Sequence, residues 1–207
     1  NNLSETLAQI GEGEMLNRLK FFMDYGQIDD DTALLSNSNK NLLINTDVLV
    51  ENVHFTEQTT ASEDIGWKAI TTNLSDLAAS GSEDFLGFTV GLIAPPTTKW
   101  KWVEGVYKGM QKAINQFGGK LIGGDCSKGQ EKILSITAIG KLGELRLHRS
   151  NALPGDYLVS SGPHGLSRLG LALLRHESLE ELKIIPESLR LKAIKIHKRP
   201  YPQIQAL

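Results

Sequence analysis

Apolar residues recur along the first two thirds of the chain at two spacings, one typical of helices and one of strands. The helical spacing of 3.6 predicts helices over residues 3–22, 62–80 and 98–117. Gly11 and Gly13 mark a weak point in the first of these helices. Ser62 is the expected N-cap of the second, and the Gly118–Gly119 pair ends the third.

Short apolar and β-branched runs between these helices predict strands. They cover residues 32–36, 41–51, 84–94, 120–124 and 132–142. After a Pro-Gly turn at 153–156 the pattern predicts a strand over 157–162 and a helix over 166–176, then a tail that is partly helical up to Pro200.

The order of these elements indicates an α/β (α+β) chain in two parts. Residues 1–145 form an N-terminal domain with a mixed sheet and packed helices. Residues 146–207 form the beginning of a second α/β domain, which is too short to close a core of its own.

Composition excludes several classes of function. The 22 basic and 24 acidic residues nearly balance, so bulk charge does not favour nucleic acid as a partner. No apolar run approaches the roughly 20 residues that span a bilayer, and the first residues lack the pattern of a signal peptide. A single cysteine, Cys126, excludes an internal disulfide. We therefore predict a cytoplasmic protein with no membrane partner.

Aspartates provide the strongest chemical signal, because five of them lie in or beside apolar segments. These are Asp30, Asp31, Asp47, Asp76 and Asp125. Two carboxylates about 4 Å apart repel each other by about 4 kcal/mol near a protein surface. A cluster of them therefore needs a cation, and Mg²⁺ prefers oxygen ligands of this kind. The alternative is that each aspartate caps a turn or a helix separately.

Local periodicity indicates which polar residues act together. In the strand around "LLINTDVLV", Asn45 and Asp47 share one face and Thr46 points to the other. In the following helix, Asn73 and Asp76 are three residues apart and occupy neighbouring positions. An exposed polar stripe is the alternative for this helical pair.

Three further residues carry weaker signals. His54 lies in a loop, where it is either a surface residue or a contact to substrate. Gly124 belongs to "LIGGD", whose glycines would let the backbone approach a phosphate closely. Arg149 is either a surface charge or a phosphate contact through its planar guanidinium.

Six stretches, taken in order, resemble the thiamine-monophosphate kinase family, which is related to aminoimidazole ribonucleotide synthetase. They are "DDTALL", "NTDVLVENVHF", "KAITTNLSDLAASG", "LIGGD", "HRSNALPGDYL" and "KRPYP". The resemblance implies ATP-dependent phosphorylation of thiamine phosphate to thiamine diphosphate, with ATP as co-substrate and Mg²⁺ as cofactor. It also implies a homodimer that forms through the N-terminal strands.

The resemblance also implies roles for individual residues. The metal ligands it implies are Asp30, Asp31, Asn45, Thr46, Asp47, Asp76 and Asp125. His54 matches the histidine that contacts thiamine phosphate, and the ATP-binding positions are Tyr107, Gly124, Asp125 and Arg149. No side chain is assigned to covalent catalysis, because phosphoryl transfer needs mainly positioning and neutralisation of charge.

This chain departs from the family pattern at two places. Asp29 stands where the family has glycine. The family also continues beyond the position of Leu207 with further acidic and serine residues and an aromatic residue that stacks on substrate. We therefore expect this chain alone to be incomplete for catalysis. Two alternatives stay open: another ATP-using relative of the aminoimidazole ribonucleotide synthetase kind, and a non-catalytic module for nucleotide binding or dimerisation.

Overall fold

The chain forms one mixed sheet with helices packed against it. In the computed structural model the described residues are 6–19, 22, 30–37, 40–177, 182 and 184–204. The strands are β1 (Ala33–Asn37), β2 (Lys40–Val50), β3 (Ser82–Ala94), β4 (Leu121–Lys128) and β5 (Ile133–Leu142). The helices are α1 (Leu7–Leu19), α2 (Ser62–Ala79), α3 (Trp100–Phe117), α4 (Leu166–Leu174) and α5 (Glu187–Lys198). None of these helices is long and apolar enough to cross a bilayer.

The five strands lie in the order β1-β2-β5-β3-β4. All neighbours are antiparallel except β3 and β4, which run parallel. Side chains alternate between the two faces of the sheet. In β5, Leu134, Ile136 and Ala138 are fully buried against the helices, and the residues between them are partly exposed. The sheet therefore has one face covered by helices and one open face, on which none of the described helices packs closely.

Glycines let α2 and α3 lie almost in backbone contact. A Cβ atom on Gly66 would come within 1.8 Å of the Val106 carbonyl oxygen, and one on Gly109 within 1.9 Å of the Glu63 carbonyl oxygen. At Gly105 the nearest atom would be the Ser62 hydroxyl oxygen, 2.1 Å away. Because the contacts advance in the same direction along both helices, α2 and α3 run parallel and begin at the same end of the fold.

The C-terminal helices pair with each other and reach back to α2. A Cβ atom on Gly170 of α4 would come within 2.3 Å of the Ala193 carbonyl oxygen of α5. After α5, Arg199 forms ion pairs with two acids in the first turn of α2. The Trp67 indole N–H donates to the Pro200 carbonyl at 2.8 Å. These contacts attach the end of the described chain to the N-terminal part.

Most predicted elements are confirmed, with three differences. α1 is interrupted at Gly11 (φ 72°), as predicted, but Ala61 rather than Ser62 is the N-cap of α2. β4 continues to Lys128, four residues beyond the predicted end. The predicted strand over 157–162 is wrong: its residues are exposed and pair with no described strand, and an unpaired segment cannot complete the backbone hydrogen bonds of a sheet.

The predicted fold class is confirmed, since a mixed sheet with packed helices is what the structure contains. The division at residue 145 stays a prediction. Asp29, whose identity departs from the family pattern, lies outside the described residues.

Candidate functional site

Asn45 connects β2 to α2 through two hydrogen bonds. Its side-chain amide donates to Asn73 Oδ1 and to Asp76 Oδ2, both at 3.1 Å. Asn73 is fixed in turn, because its own amide donates to the Ala69 carbonyl at 2.9 Å. The predicted faces of β2 and α2 are therefore the ones that meet, and they place the Asp76 carboxyl beside the sheet.

The Asp76 carboxyl lies in an environment that disfavours its charge. Partial burial and the negative charges of Asp47 and Asp31 raise its pKa to about 6. The Asn45 hydrogen bond and the Arg149 charge lower this pKa by less. Asp31, Asp47 and Asp76, which we call the carboxylate cluster, thus interact electrostatically across the loop before β1, strand β2 and helix α2.

Arg149 forms ion pairs with both Asp30 and Asp31, the two acids before β1. Its Nη2 lies 2.5 Å from Asp31 Oδ2 and its Nε lies 3.2 Å from Asp30 Oδ1. Burial raises the pKa of Asp30, but the Asp31 backbone N–H, Arg149, His148 and Arg146 together hold it below its usual value. Asp30 is therefore ionised at neutral pH and neutralised by the segment that follows β5.

The backbone of this loop is held in place by Arg146. One of its guanidinium nitrogens donates to the Thr32 hydroxyl at 2.7 Å and to the Ser80 carbonyl at 3.2 Å, and the other donates to the Thr32 carbonyl at 2.9 Å. Ser80 follows the last turn of α2. Arg146 thus joins the acidic loop to the end of the helix that carries Asp76.

Sequence reasoning missed Arg146 and His148, although a signal was present. The segment "RLHR" (146–149) places three basic residues just after β5, and its charges complement those of the acidic loop. His148 Nε2 lies 3.5 Å from Asp30 Oδ2. Pairing oppositely charged runs across the sequence could have found this contact.

Two of the predicted metal ligands lie apart from the carboxylate cluster. The Thr46 side chain is on the open face of the sheet, where its hydroxyl lies 2.9 Å from that of Thr137. Asp125 belongs to the edge strand β4, three strands away from β2, or about 14 Å at the usual strand spacing. Consecutive side chains of a strand point to opposite faces of the sheet. The Cys126 side chain faces α3, so the Asp125 side chain points to the other face. The structure does not bring these two side chains to Asp76.

The predicted substrate contact also lies away from the cluster. His54 is exposed in the loop after β2, and its Nδ1 accepts from the Val50 backbone N–H at 3.0 Å. Val50 is five residues beyond Asn45, which corresponds to about 17 Å along a strand. A role for His54 in substrate binding stays a prediction.

Two of the predicted ATP-binding positions lie together near β4. Tyr107 lines a cavity of about 520 Å³ together with Leu92, Trp100 and Cys126. Gly124 lies two residues before Cys126 on the same strand, and a Cβ atom there would come within 2.1 Å of the Val90 carbonyl oxygen. Burial, followed by the Cys126 thiol, raises the pKa of Tyr107. The cavity has the aromatic and apolar lining that suits a flat ring.

The carboxylate cluster has the donor chemistry for a hard cation but is not a closed cage. Asn45 Oδ1 is buried and has no hydrogen-bond partner among the described residues, so a ligand oxygen is left over. Within the same described residues, no three histidine, cysteine or acidic side chains are close enough to hold a metal by themselves. Mg²⁺ usually keeps several waters and takes ligands from substrate phosphates, so an open set of carboxylates fits it.

Comparison with known proteins identifies the family. Residues 29–142, more than half of the chain, match the family model described as AIR synthase related protein, N-terminal domain. The chain belongs to the AIR synthase-related family. Within this family it is similar to the thiamine-monophosphate kinase of Prochlorococcus marinus, with 60% identity over 206 residues, and to that of Synechococcus elongatus, with 38% identity over 204 residues.

Solved structures of AIR synthase-related proteins support the same assignment. The structure described as AaThiL complexed with AMPPCP and TMP superposes with a TM-score of 0.88 at 32% identity, covering 99% of this chain and 63% of that one. Thiamine monophosphate kinase from Stenotrophomonas maltophilia gives a TM-score of 0.70 at 30% identity, covering 98% and 63%. The sequence resemblance to thiamine-monophosphate kinases is thus confirmed.

This member of the AIR synthase-related family spans about three fifths of its relatives. The chain is covered fully in the Prochlorococcus comparison and to 98% in the Synechococcus one, but it spans only 62% and 61% of those two proteins. The relatives therefore contain a further region that has no counterpart among these 207 residues.

Proposed function

We propose that this chain is the N-terminal part of an ATP-dependent kinase that phosphorylates thiamine phosphate to thiamine diphosphate. The observation that carries the proposal is 60% identity, over 206 residues, to a thiamine-monophosphate kinase. A structural neighbour bound to AMPPCP and TMP, at 32% identity, supports ATP and thiamine phosphate as the two ligands. The predicted cytoplasmic location is compatible with these water-soluble substrates.

The carboxylate cluster and its arginines have the chemistry that phosphoryl transfer requires. The reaction needs reactants held in line and charge neutralised, with little covalent chemistry from the protein. Asp31, Asp47 and Asp76 would hold Mg²⁺, with Asn45 Oδ1 as a neutral ligand. The bound ion would supply neutralisation of phosphate charge. Arg149, exposed and able to donate from several nitrogens, would bind phosphate oxygens in exchange for Asp31.

The test is to supply thiamine phosphate, ATP and Mg²⁺ to the full-length gene product and measure thiamine diphosphate. We expect product formation, and a loss of at least about 100-fold in Asp47→Asn, because a carboxylate ligand becomes a neutral amide. Unchanged circular dichroism would show that the variant is folded, and Asp84→Asn, at an exposed position of β3, is the control. Retained activity in Asp47→Asn would contradict the metal role.

The same assay separates the alternatives. ATP hydrolysis that depends on Mg²⁺ but leaves thiamine phosphate unchanged would favour another ATP-using member of the family. Nucleotide binding without turnover in the full-length product would favour a non-catalytic binding module.

We also propose that the open face of the sheet is the surface of a homodimer. Val48 is 44% exposed there and Leu35 is 56% exposed on the neighbouring strand. Ile44 and Ile139 are paired by the strand register on the same face and are partly exposed. An exposed sheet surface that carries several apolar side chains is typical of interaction sites.

Sedimentation velocity tests this interface. We expect the native protein to sediment as a dimer and Val48→Lys to sediment as a monomer, because a buried, unpaired ammonium is costly at an apolar interface. The control is Val53→Lys, since Val53 is exposed in the loop after β2 and lies outside the sheet. A Val48→Lys dimer as tight as the native one would exclude this surface.

A further inference from the structure

The members of the carboxylate cluster repel one another, so a contact must hold them together until a cation is bound. Asp31 and Asp47 both act on the Asp76 carboxyl with charge of the same sign. Asp31 belongs to the acidic loop (residues 30–32), whereas Asp47 and Asp76 lie on a strand and a helix. Because a loop is less restrained than a strand or a helix, repulsion would displace the acidic loop first.

Arg149 is not suited to hold this loop in place throughout the reaction. Its side chain is 58% exposed, and its ion pairs are made with the charged oxygens of Asp30 and Asp31. In the proposed function Arg149 exchanges Asp31 for phosphate oxygens. The acidic loop would therefore lose this contact when substrate binds.

Arg146 makes a different kind of contact to the same loop. Its guanidinium donates to the hydroxyl of Thr32 at 2.7 Å, to the carbonyl of Thr32 at 2.9 Å and to the carbonyl of Ser80 at 3.2 Å. Thr32 and Ser80 are both buried, and the Arg146 side chain is only 21% exposed. These contacts do not involve the Asp31 carboxylate, so they remain when Arg149 leaves it.

The Arg146 bridge connects the two acids through very few bonds. Thr32 follows Asp31 directly in the chain. At the other end, the Ser80 backbone N–H donates to the Asp76 carbonyl at 3.0 Å. The distance between the Asp31 and Asp76 carboxylates is thus set by one guanidinium and the residues that it joins.

The segment after β5 is itself attached to the end of α2, which gives the bridge a fixed base. The Leu147 backbone N–H donates to the Ser80 carbonyl at 3.3 Å, and the Gly143 N–H donates to the Gly81 carbonyl at 2.9 Å. A Cβ atom on Gly81 would come within 2.2 Å of the Leu145 carbonyl oxygen, so the two segments are in close backbone contact.

We propose that Arg146 is a positioning residue for the cation, which holds Asp31 beside Asp76 while Arg149 exchanges between Asp31 and phosphate. The inference rests on the proposed metal-dependent reaction. Replacing residues that orient metal ligands typically lowers metal affinity by roughly 10–100-fold. The planar guanidinium is needed for this role, because a lysine ammonium has the same charge but only one nitrogen.

Binding of Mn²⁺ to the full-length gene product tests the role without any turnover, since Mn²⁺ suits the same oxygen ligands as Mg²⁺. Electron paramagnetic resonance of free Mn²⁺ measures its affinity. We expect Arg146→Gln to bind Mn²⁺ about tenfold more weakly or worse, and Arg146→Lys to bind it equally weakly. A role through charge alone predicts the opposite sign, because removing a positive charge near the site would favour a cation.

Two controls accompany this measurement. Arg168→Gln removes the same charge from an exposed ion pair with Glu177 on the C-terminal part, and it should keep the native affinity. Urea denaturation shows whether each variant is folded. Tighter or unchanged Mn²⁺ binding in Arg146→Gln, full rescue by Arg146→Lys, or equal weakening in Arg168→Gln would overturn the positioning role.

Variants of Thr32 keep the proposal testable if the Arg146 variants do not fold. Thr32→Val removes one acceptor of the bridge and leaves every charge in place, so we expect a smaller but measurable loss of Mn²⁺ affinity. Thr32→Ser keeps the hydroxyl and should bind Mn²⁺ like the native protein. Equal affinity of the valine and serine variants would contradict the bridge.

The kinase assay separates this inference from the proposed function. In Arg146→Gln we expect the Mg²⁺ concentration for half-maximal activity to rise about tenfold, while most of the native kcat returns at saturating Mg²⁺. If no thiamine diphosphate forms but Mn²⁺ affinity falls as expected, the proposed function fails and the positioning role stands. If product forms and Arg146→Gln keeps its metal affinity, the positioning role fails and the proposed function stands.

Discussion

Replacing Asp76 with asparagine is expected to stabilise the protein at neutral pH while abolishing its Mg²⁺-dependent activity. Asparagine keeps an oxygen that accepts from the Asn45 amide, which now donates at 3.1 Å to Asp76. It removes the charge that burial, Asp47 and Asp31 disfavour. Because the same charge would hold the metal, stability and activity should change in opposite directions.

The pH dependence of this effect follows from the raised pKa. The pKa of Asp76 in the folded protein is about 6, above the ordinary aspartate value of 3.8. The stabilising contribution of the protonated carboxyl is fully present below pH about 4 and is lost as pH rises through 6. The Asp76→Asn variant should therefore gain about 1–2 kcal/mol over the native protein at pH 7.5, after allowance for solvent screening, and nothing at pH 4.

Urea denaturation at pH 4 and pH 7.5, together with the kinase assay, measures both effects. The control is Asp84→Asn, since Asp84 is exposed on β3 and is not among the groups that shift the pKa of Asp76. A variant that is less stable than the native protein at pH 7.5, or one that keeps its Mg²⁺-dependent turnover, would refute this account of Asp76.

Substituting Gly66 with alanine is expected to cost at least about 3 kcal/mol of the free energy of unfolding. The added Cβ would come within 1.8 Å of the Val106 carbonyl oxygen and 3.0 Å of the Met110 backbone nitrogen. Backbone atoms of a packed helix cannot rotate away, so α2 and α3 would have to separate and leave the core loosely packed. Chemical denaturation of the variant measures the loss.

Two other glycines make this prediction specific. Gly13→Ala in α1 should have no cost, because nothing lies within 4 Å of its added Cβ. Gly105→Ala should have an intermediate cost, because its first clash is with the Ser62 side chain, which can rotate. If all three variants were destabilised to the same extent, the effect would come from something other than the helix–helix contact.

Local periodicity in the sequence was enough to predict most of the fold. Alternation in "LLINTDVLV" correctly placed Asn45 and Thr46 on opposite faces of β2, and helical spacing correctly put Asn73 beside Asp76. Both inferences need only geometry within one element. The predicted strand over 157–162 failed because a strand also needs a neighbour, which no local pattern supplies.

The positions of strands, helices and loops relative to one another could not be predicted from local sequence patterns. Five aspartates were expected to converge, yet Asp125 lies on the edge strand, because strand order and not chain order sets its distance from β2. Conversely, Arg146 meets Thr32 across 114 positions of sequence separation, because the chain after β5 returns to the loop before β1 and to the end of α2. Long-range pairings of this kind are decided by the assembled core.

The arginine bridge has a consequence for dividing the protein. The family match ends at residue 142 and the predicted domain boundary lies at 145, but Arg146, His148 and Arg149 all contact the acidic loop. A fragment cut at either boundary would keep Asp30 and Asp31 and discard their counter-charges. A fragment that keeps these ion pairs must therefore extend at least to residue 149, beyond both the family match and the predicted domain boundary.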